Sequence, residues 1–155
     1  MSPIRHSLFA LVALPLLTGA LAAQERKIER RDLPAAVEKT VVKESAGANV
    51  RGFAKEMEHG QTYYEASLIV GGANRDVLMD TAGVVVEVEQ QVALDSLPAA
   101  VRSALLAKAG AGKITTVESL TKKDKLVAYE AQVRTGTRRS EVQVGPDGGT
   151  LQHEE

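Results

Sequence analysis

The sequence predicts an α+β protein made of two tandem αββββ units, each an antiparallel four-stranded meander with one helix packed on one face. Three observations lead to this prediction. The pentapeptide LPAAV occurs at residues 33–37 and again at residues 97–101. Apolar and polar residues alternate with period two after each copy, and glycine-containing turns separate the alternating segments. A helix followed by short antiparallel strands fits this order, because such strands can bury one face and leave the other to water.

The first residues have the pattern of a secretory signal peptide. Arg5 supplies a positive charge, residues 8–17 are apolar, and small residues surround a cleavage position after Ala22 or Ala23. The apolar run is shorter than the ~20 residues that a membrane-spanning helix needs. We therefore expect residues 1–23 to be removed as a signal peptide. The expected product is a bacterial periplasmic or secreted protein with no stable membrane anchor.

Composition restricts the classes of function. Removal of 23 residues from the 155 leaves 132, which is enough for one ordinary domain. The chain has 19 Lys and Arg against 20 Asp and Glu, so no excess of positive charge favours nucleic acid or an anionic membrane as a partner. The absence of cysteine excludes disulfides, thiolate catalysis and lipid attachment at a cysteine.

The neighbours of LPAAV recur as well, which indicates a duplicated unit. Residues around the pentapeptide match in kind at an offset of 64. After one inserted residue the offset becomes 65, and Tyr-Glu-Ala at residues 64–66 recurs at residues 129–131. Agreement on both sides of a single insertion is what duplication produces. We therefore place the first repeat at residues 24–91 and the second at residues 92–155.

Each unit is expected to begin with a helix. Asp32 and Ser96 are residues of the N-cap type, and a proline two positions later fits the first turn, where a missing N–H costs little. Apolar residues follow at helical spacing, and glycines end both segments. The residues predicted to face the sheet are Leu33, Val37, Thr40 and Val41 in the first helix and Leu97, Val101, Ala104 and Leu105 in the second.

Four strands are predicted after each helix. In the first unit, strand parity turns toward the helix the residues Tyr64, Leu68, Val77 and Val86. The second unit repeats the pattern and is expected to end in a strand near Leu151, beyond the turn at residues 145–148.

Together these features resemble the PepSY domain, and in particular the PepSY-like, β-lactamase-inhibitor-like group of small exported bacterial proteins. The resemblance covers nearly all of the mature chain, in two copies. The second copy departs from it, with Gly145 in place of Asp80 and His153 in place of Val88. The matching segments are residues 33–37, 64–66, 77–80 and 83–85, with second-copy partners at 97–101, 129–131, 141–144 and 148.

The resemblance implies a non-enzymatic exported binding module that acts on another exported protein, with peptidases as candidate partners to inhibit or modulate. It implies no cofactor. Because a fold does not fix a function, the binding surface has to be sought in the residues themselves.

Strand parity predicts that surface. If Tyr64 and Leu68 face the helix, their neighbours point to the opposite side of the sheet. A partner surface and a face buried against the other repeat or a dimer mate both fit this outward set. The predicted partner-binding residues are Tyr63, Glu65, Ile69, Leu78, Val85 and Glu87. The corresponding second-copy positions are more polar and consist of Ala128, Arg134, Gln143 and Thr150.

Catalytic chemistry has little support. Only two histidines follow the leader, His59 in a predicted turn and His153 near the end of the chain, and no nucleophile–base pair is visible. A metal site at His59 with Glu56 and Glu58 is less favoured than a solvated turn. We therefore predict no catalytic site and no metal site.

The alternative function is a cell-envelope sensor of a small ligand or a metal ion, built on Glu65, Glu87 and Glu89. The last two share a strand face, an arrangement that is also typical of the polar outer face of an antiparallel sheet. A solvated hairpin tip, balanced by Glu141, is predicted for the basic residues Arg134, Arg138 and Arg139.

Overall fold

The computed structural model describes residues 26–58 and 60–153. The predicted signal peptide and His59 lie outside these residues. In chain order the elements are β1 (Arg26–Ile28), α1 (Ala35–Glu44), β2 (Asn49–Glu58), β3 (Gln61–Val70), β4 (Ala73–Asp80), β5 (Val85–Gln91), α2 (Ala99–Ala109), β6 (Lys113–Lys122), β7 (Lys125–Thr135) and β8 (Arg138–Val144).

All eight strands form one antiparallel sheet, in which each strand pairs with its neighbours in the chain from β1 to β8. The prediction of two separate four-stranded meanders is therefore wrong. The sheet continues because β5 pairs with β6, from Glu87 opposite Lys122 to Gln91 opposite Glu118. Backbone N–H and C=O groups form this pairing, so the open edge of one strand accepts the next one regardless of its side chains.

The second helix is followed by three strands, where four were predicted. After β8 the chain turns, with the Gly148 N–H donating to the Gly145 C=O at 2.8 Å and the Gly145 N–H donating to the Gly149 C=O at 2.8 Å. The described residues beyond this turn form no strand. Leu151 is the only apolar residue among residues 150–153, so a returning strand would have no apolar face to bury.

The pairing register of β1 on β2 recurs in β5 and β6. Ile28 lies opposite Phe53. At the positions 64 residues later, the Val92 N–H donates to the Val117 C=O at 2.9 Å. The strand pairing that precedes each helix, β1 with β2 and β5 with β6, therefore has the same register.

One face of the sheet is covered by the two helices. Val37 and Val41 of α1 are fully buried, as are Val101 and Leu105 of α2, which confirms these core predictions. The spacing of four residues places each pair on one side of its helix. The sheet residues under α1 include Tyr64, Ala66, Leu68, Val77 and Met79, and those under α2 include Val117, Ala131 and Val144.

Both helices begin three residues after the predicted N-caps, at positions preceded by Pro34 and Pro98. Asp32 and Ser96 instead end short 3-10 turns. The Asp32 carboxylate accepts a hydrogen bond from the Glu29 N–H at 3.0 Å, and the Ser96 hydroxyl donates within its own turn. Their side chains therefore satisfy the preceding turn, which makes the N-cap prediction wrong.

Two glycine turns set the positions of the helices on the sheet. Gly83 has a φ of 76°, and a Cβ atom there would overlap the backbone carbonyl of Ala36 in α1. The Thr40 hydroxyl donates to the Gly83 C=O at 2.6 Å. Gly148 has a φ of 84° and approaches Ala100 of α2 in the same way. Only glycine combines this conformation with so close an approach, so each turn locks the first turn of a helix against the sheet.

No described helix or strand lies over the opposite side of the sheet, which we call the open face. Four of its side chains are nevertheless buried and belong to neither helix-facing cluster. Their burial therefore does not come from packing against either described helix. These residues are Ala54, Leu120, Ala128 and Gln143.

Candidate functional site

Five of the six predicted partner-binding residues lie on the open face. Glu65, Leu78 and Glu87 are direct cross-strand neighbours on β3, β4 and β5. Tyr63 and Ile69 lie on the same side of β3, because they alternate with residues that pack under α1. The sheet therefore brings these residues from three strands onto one surface.

Val85 lies on the other side, which corrects its assignment to the partner surface. It packs against the cluster under α1. The pairing of β4 with β5 shifts between Leu78, opposite Glu87, and Met79, opposite Val85. Such a bulge inserts one residue into β5, so the residues before it take the opposite parity from those after it.

The apolar residues of the open face do not form an exposed strip. Tyr63, Ile69 and Leu78 are each half-buried. Among the described residues, the exposed large apolar side chains are found at strand ends, turns and outer helix surfaces, and they are Val42, Val50, Met57, Val70, Val84 and Leu106. Polar and charged groups therefore dominate what the centre of the open face presents to a partner.

Carboxylates gather at the centre of this face. They surround a cavity of about 100 Å³, which we call the acidic cavity. Two further carboxylates, Glu118 and Glu130, lie directly opposite each other on β6 and β7. The residues that line the acidic cavity are Glu56, Glu65, Asp76, Leu78, Glu87 and Glu89.

The electrostatic consequence is largest at Glu89. Burial, together with the nearby charges of Glu87, Glu118, Glu130 and Asp76, raises the pKa of this carboxyl to about 8. Both causes disfavour the ionised form. At neutral pH Glu89 therefore keeps its proton more often than not.

Two neighbours of Glu89 show the same direction of shift. Burial raises the pKa of Glu118, and the adjacent Glu130 carboxylate adds to the effect. Burial also raises the pKa of Glu87, although the Lys122 ammonium lies 3.5 Å from a Glu87 carboxylate oxygen and lowers it. Glu87 and Glu89 are therefore partly buried, and their pKa values differ from those of solvated carboxylates on an outer sheet face.

A buried amide supports this cluster from β8. Gln143 is only 8 % exposed, and its Nε2 donates to Glu130 Oε2 at 2.7 Å. Ala128 is fully buried beside it on the sheet, opposite Leu120. The sequence predicted these second-half positions to be outward and polar, and nothing in the residue pattern signalled their burial.

The structure gives the metal-sensor alternative no coordination sphere within residues 26–58 and 60–153. In these segments no three His, Asp or Glu side chains are arranged to hold a metal ion. Glu65, Glu87 and Glu89 line one cavity without forming such a group. Of the two histidines considered, His153 is exposed after the last turn, and His59 is outside the described residues.

Positive charge lies at another part of the open face, near the hairpin between β7 and β8. A shallow cavity of about 540 Å³ is lined there by Thr115, Gln132, Val133, Arg134, Arg139, Ser140 and Glu141. The predicted balance of these arginines by Glu141 is not present as an ion pair among the described residues.

No protein family profile and no curated protein matches this chain. Solved structures do match it. A Bacteroides eggerthii protein described as periplasmic has a TM-score of 0.64 and 22% identity, covering 77% of this chain and 86% of its own. A DUF2874 family protein from Bacteroides ovatus has a TM-score of 0.61 and 22% identity, covering 77% of this chain and 85% of its own.

A third similar structure is a BLIP-like protein from Bacteroides fragilis, with a TM-score of 0.55 and 20% identity, covering 77% of this chain and 83% of its own. Within the part of the chain that the structure describes, we find no helix of the length and apolarity needed to cross a membrane. At these identities the comparisons bear on architecture, and they show that the chain has a BLIP-like fold.

Proposed function

We propose that this chain is a non-enzymatic exported binding protein that holds a partner protein on its open face. The observation that carries the proposal is a set of half-buried carboxylates gathered from several strands on one uncovered sheet surface. Charged groups are costly to bury unless they are paired. A partner that brings cations to this surface would relieve that cost, which favours association with a basic protein surface.

The partner chemistry follows from the acidic cavity. Glu87 and Glu89 have raised pKa values, and Lys122 is a cation already close to one of them. An Arg or Lys side chain of the partner would stabilise the ionised forms and hydrogen-bond to the carboxylate oxygens. Leu78, between Glu65 and Glu87, offers an apolar contact for the aliphatic stem of such a side chain.

We infer membership of the PepSY-like group and an origin by sequence duplication within one continuous sheet. The sequence matches at offsets of 64 and 65 support this inference, as does the shared register of β1 with β2 and β5 with β6. The BLIP-like fold supports a protein as partner. Inhibition or modulation of a peptidase is the specific activity we propose for the complex.

Export is part of the proposal. The signal-peptide pattern of residues 1–23 supports it, with cleavage near Ala22 or Ala23. The three similar structures are all of Bacteroides proteins, and one of them is described as periplasmic, which is consistent with a periplasmic or secreted location.

A capture experiment tests the partner proposal. The immobilised mature protein is exposed to the native envelope fraction beside two variants, Leu78→Arg on the open face and Val42→Arg on the outer surface of α1. Val42 is 57 % exposed, so its variant controls for an added charge at an unrelated surface. We expect a protein to be retained by the wild type and by Val42→Arg and to be lost with Leu78→Arg.

The captured protein is then purified and titrated against the same three chains. Equal affinity for all three would contradict docking on the open face. Thermal melts with Ca²⁺, Mg²⁺ and Zn²⁺ test the alternative function, a metal-ion sensor, because a ligand bound only by the folded state raises Tm. A rise in Tm that disappears in Glu89→Gln would replace the partner proposal with that alternative.

A further inference from the structure

Three cations on neighbouring strands form a row at the end of the open face away from the acidic cavity. Lys113 on β6 lies opposite Arg134 on β7, and Arg134 lies opposite Arg139 on β8. Directly opposed residues in an antiparallel sheet have Cβ atoms about 5 Å apart, and like charges in that position repel. We call these three residues the basic row.

All three side chains project from the open face. Ile114 and Val133, their neighbours in the chain, pair with each other and turn to the helix side, where Val133 is buried. Strand parity therefore sends Lys113 and Arg134 the other way, and Arg139 follows because it is paired with Arg134.

No member of the basic row takes part in an ion pair among the described residues, although the Glu141 carboxylate lines the same cavity as Arg134 and Arg139. The Arg134 guanidinium is held in place by its own hairpin, since its Nε donates to the Gly136 C=O at 3.1 Å. All three residues are exposed. Three like charges therefore lie side by side on an accessible surface without an ion pair to another described residue.

The shallow cavity beside the basic row adds hydrogen-bonding groups. Arg134 and Arg139 line it together with the polar residues Thr115 and Gln132 and with Glu141. A guanidinium presents a planar fork of N–H donors that matches a carboxylate with two parallel hydrogen bonds. Two guanidiniums on adjacent strands therefore suit an anion that carries more than one carboxylate.

We propose that the basic row anchors a short acidic segment of the protein that docks on the open face. This inference rests on the proposed function and adds a second point of charge complementarity to it. Three cations on three strands span about 10 Å, a reach that matches Glu or Asp side chains of an extended peptide better than a single phosphate. The acidic cavity on the same face repels a long polyanion, so a protein segment of mixed charge fits the surface and a nucleic acid does not.

The test uses a fluorescein-labelled hexaglutamate peptide and the mature protein at low ionic strength, with fluorescence anisotropy as the readout. We expect Arg134→Gln/Arg139→Gln to raise the Kd of the peptide about tenfold. The matched control is Lys39→Gln/Lys43→Gln, which removes two exposed positive charges from α1 on the other side of the sheet. The control should leave the Kd within about twofold, and far-UV circular dichroism should show both variants folded.

Several outcomes would overturn the inference. They are failure of the wild type to bind hexaglutamate, equal loss of binding in both double variants, and displacement of the peptide by inorganic phosphate at equal concentration. Self-association in sedimentation velocity that is abolished by Arg134→Gln/Arg139→Gln would assign the basic row to a second copy of this chain.

The two proposals fail in different ways. If the envelope capture finds no partner but hexaglutamate binding depends on the basic row, the partner proposal fails and the anion site stands. If a captured partner is lost with Leu78→Arg and hexaglutamate does not bind, only the anion inference fails.

Discussion

The two faces of the sheet bury their residues by different means. On the helix side, Leu105 and its neighbours are covered by apolar helix and strand side chains. On the open face, Leu120 is almost as buried, at 3 % exposed, but it lies between Ala128 and the carboxyl-bearing Glu89 on the adjacent strands. The first face gains stability from burial, whereas the second carries carboxylates whose charge is disfavoured in the folded state.

This difference indicates how one sheet separates folding from binding. Charged residues that lower stability are retained where they serve a function, and residues with shifted pKa values are concentrated at functional sites. Removal of a buried apolar side chain should therefore lower the free energy of unfolding, whereas neutralisation of a buried carboxylate on the open face should raise it at high pH.

The largest effect is expected from Leu105→Ala in α2. Leu105 is fully buried, so the variant should lower the free energy of unfolding by about 3 to 4 kcal/mol through lost burial and the cavity left behind. Leu106→Ala is the matched control. Leu106 follows Leu105 in the helix and is 49 % exposed, so its replacement should change the free energy of unfolding by less than about 0.5 kcal/mol. Urea unfolding followed by circular dichroism measures both, and similar losses for the two variants would contradict the assigned helix face.

Gly83→Ala should have the next largest effect. The added Cβ would meet the Ala36 carbonyl in a backbone conformation that disfavours alanine, which should lower the free energy of unfolding by about 2 kcal/mol. Gly136→Ala shares the positive φ, but its Cβ would meet no atom within 4 Å, so it isolates the cost of conformation alone. Equal urea unfolding midpoints for the two variants would show that the close approach of Gly83 to Ala36 of α1 does not affect stability.

Leu120→Ala compares the packing of the two faces directly, because it removes a buried leucine from the open face. We expect a loss of about 2 kcal/mol, less than for Leu105→Ala, since long polar neighbours can collapse into the space more readily than packed helix and sheet. The urea midpoint of this variant should fall between those of wild type and Leu105→Ala. A loss equal to or greater than that of Leu105→Ala would mean that the open face is packed as tightly as the helix side.

Glu89→Gln should have the smallest effect and the opposite sign. The folded-state pKa of about 8 lies above the ordinary value of 4.5, so the stability from the protonated form is fully present below pH 4.5 and is lost as the pH rises through 8. At pH 9 the variant should be more stable than wild type by about 1 kcal/mol, and at pH 4 the two should agree.

Urea unfolding at pH 4, 6, 8 and 9 tests this dependence. Glu141→Gln, an exposed glutamate of the same face, is the control and should follow the wild-type curve. A wild-type chain whose stability rises between pH 6 and 9, with Glu89→Gln following it, would show that Glu89 titrates as a solvated carboxyl.

Much of the local structure was predictable from particular residues. Val37 and Val41, four residues apart, identified the buried side of α1, and the alternation around Tyr64 and Leu68 identified the helix-facing side of β3. The same alternation placed Tyr63, Glu65, Ile69, Leu78 and Glu87 on the open face. These predictions succeeded because helix and strand periodicity act within a few residues of the chain.

The prediction failed where a single residue changed the parity. One inserted residue in β5 moved Val85 to the helix side, and a tail with only Leu151 as an apolar residue did not return as a strand. Asp32 and Ser96 form hydrogen bonds within the 3-10 turns that precede the helices and do not cap the helices themselves. Each failure concerns a competition between two local hydrogen-bonding patterns that the residue types alone leave balanced.

Short-range chemistry therefore dictated which segments become helix, strand and turn, and which side of each is apolar. The joining of β5 to β6, the gathering of Glu89, Glu118 and Glu130, and the alignment of Lys113, Arg134 and Arg139 were decided only when the chain folded. Strand edges pair through backbone groups that every residue has, so sequence does not specify the partner edge. Charges from distant segments interact strongly only once the sheet brings them together in a partly buried surface.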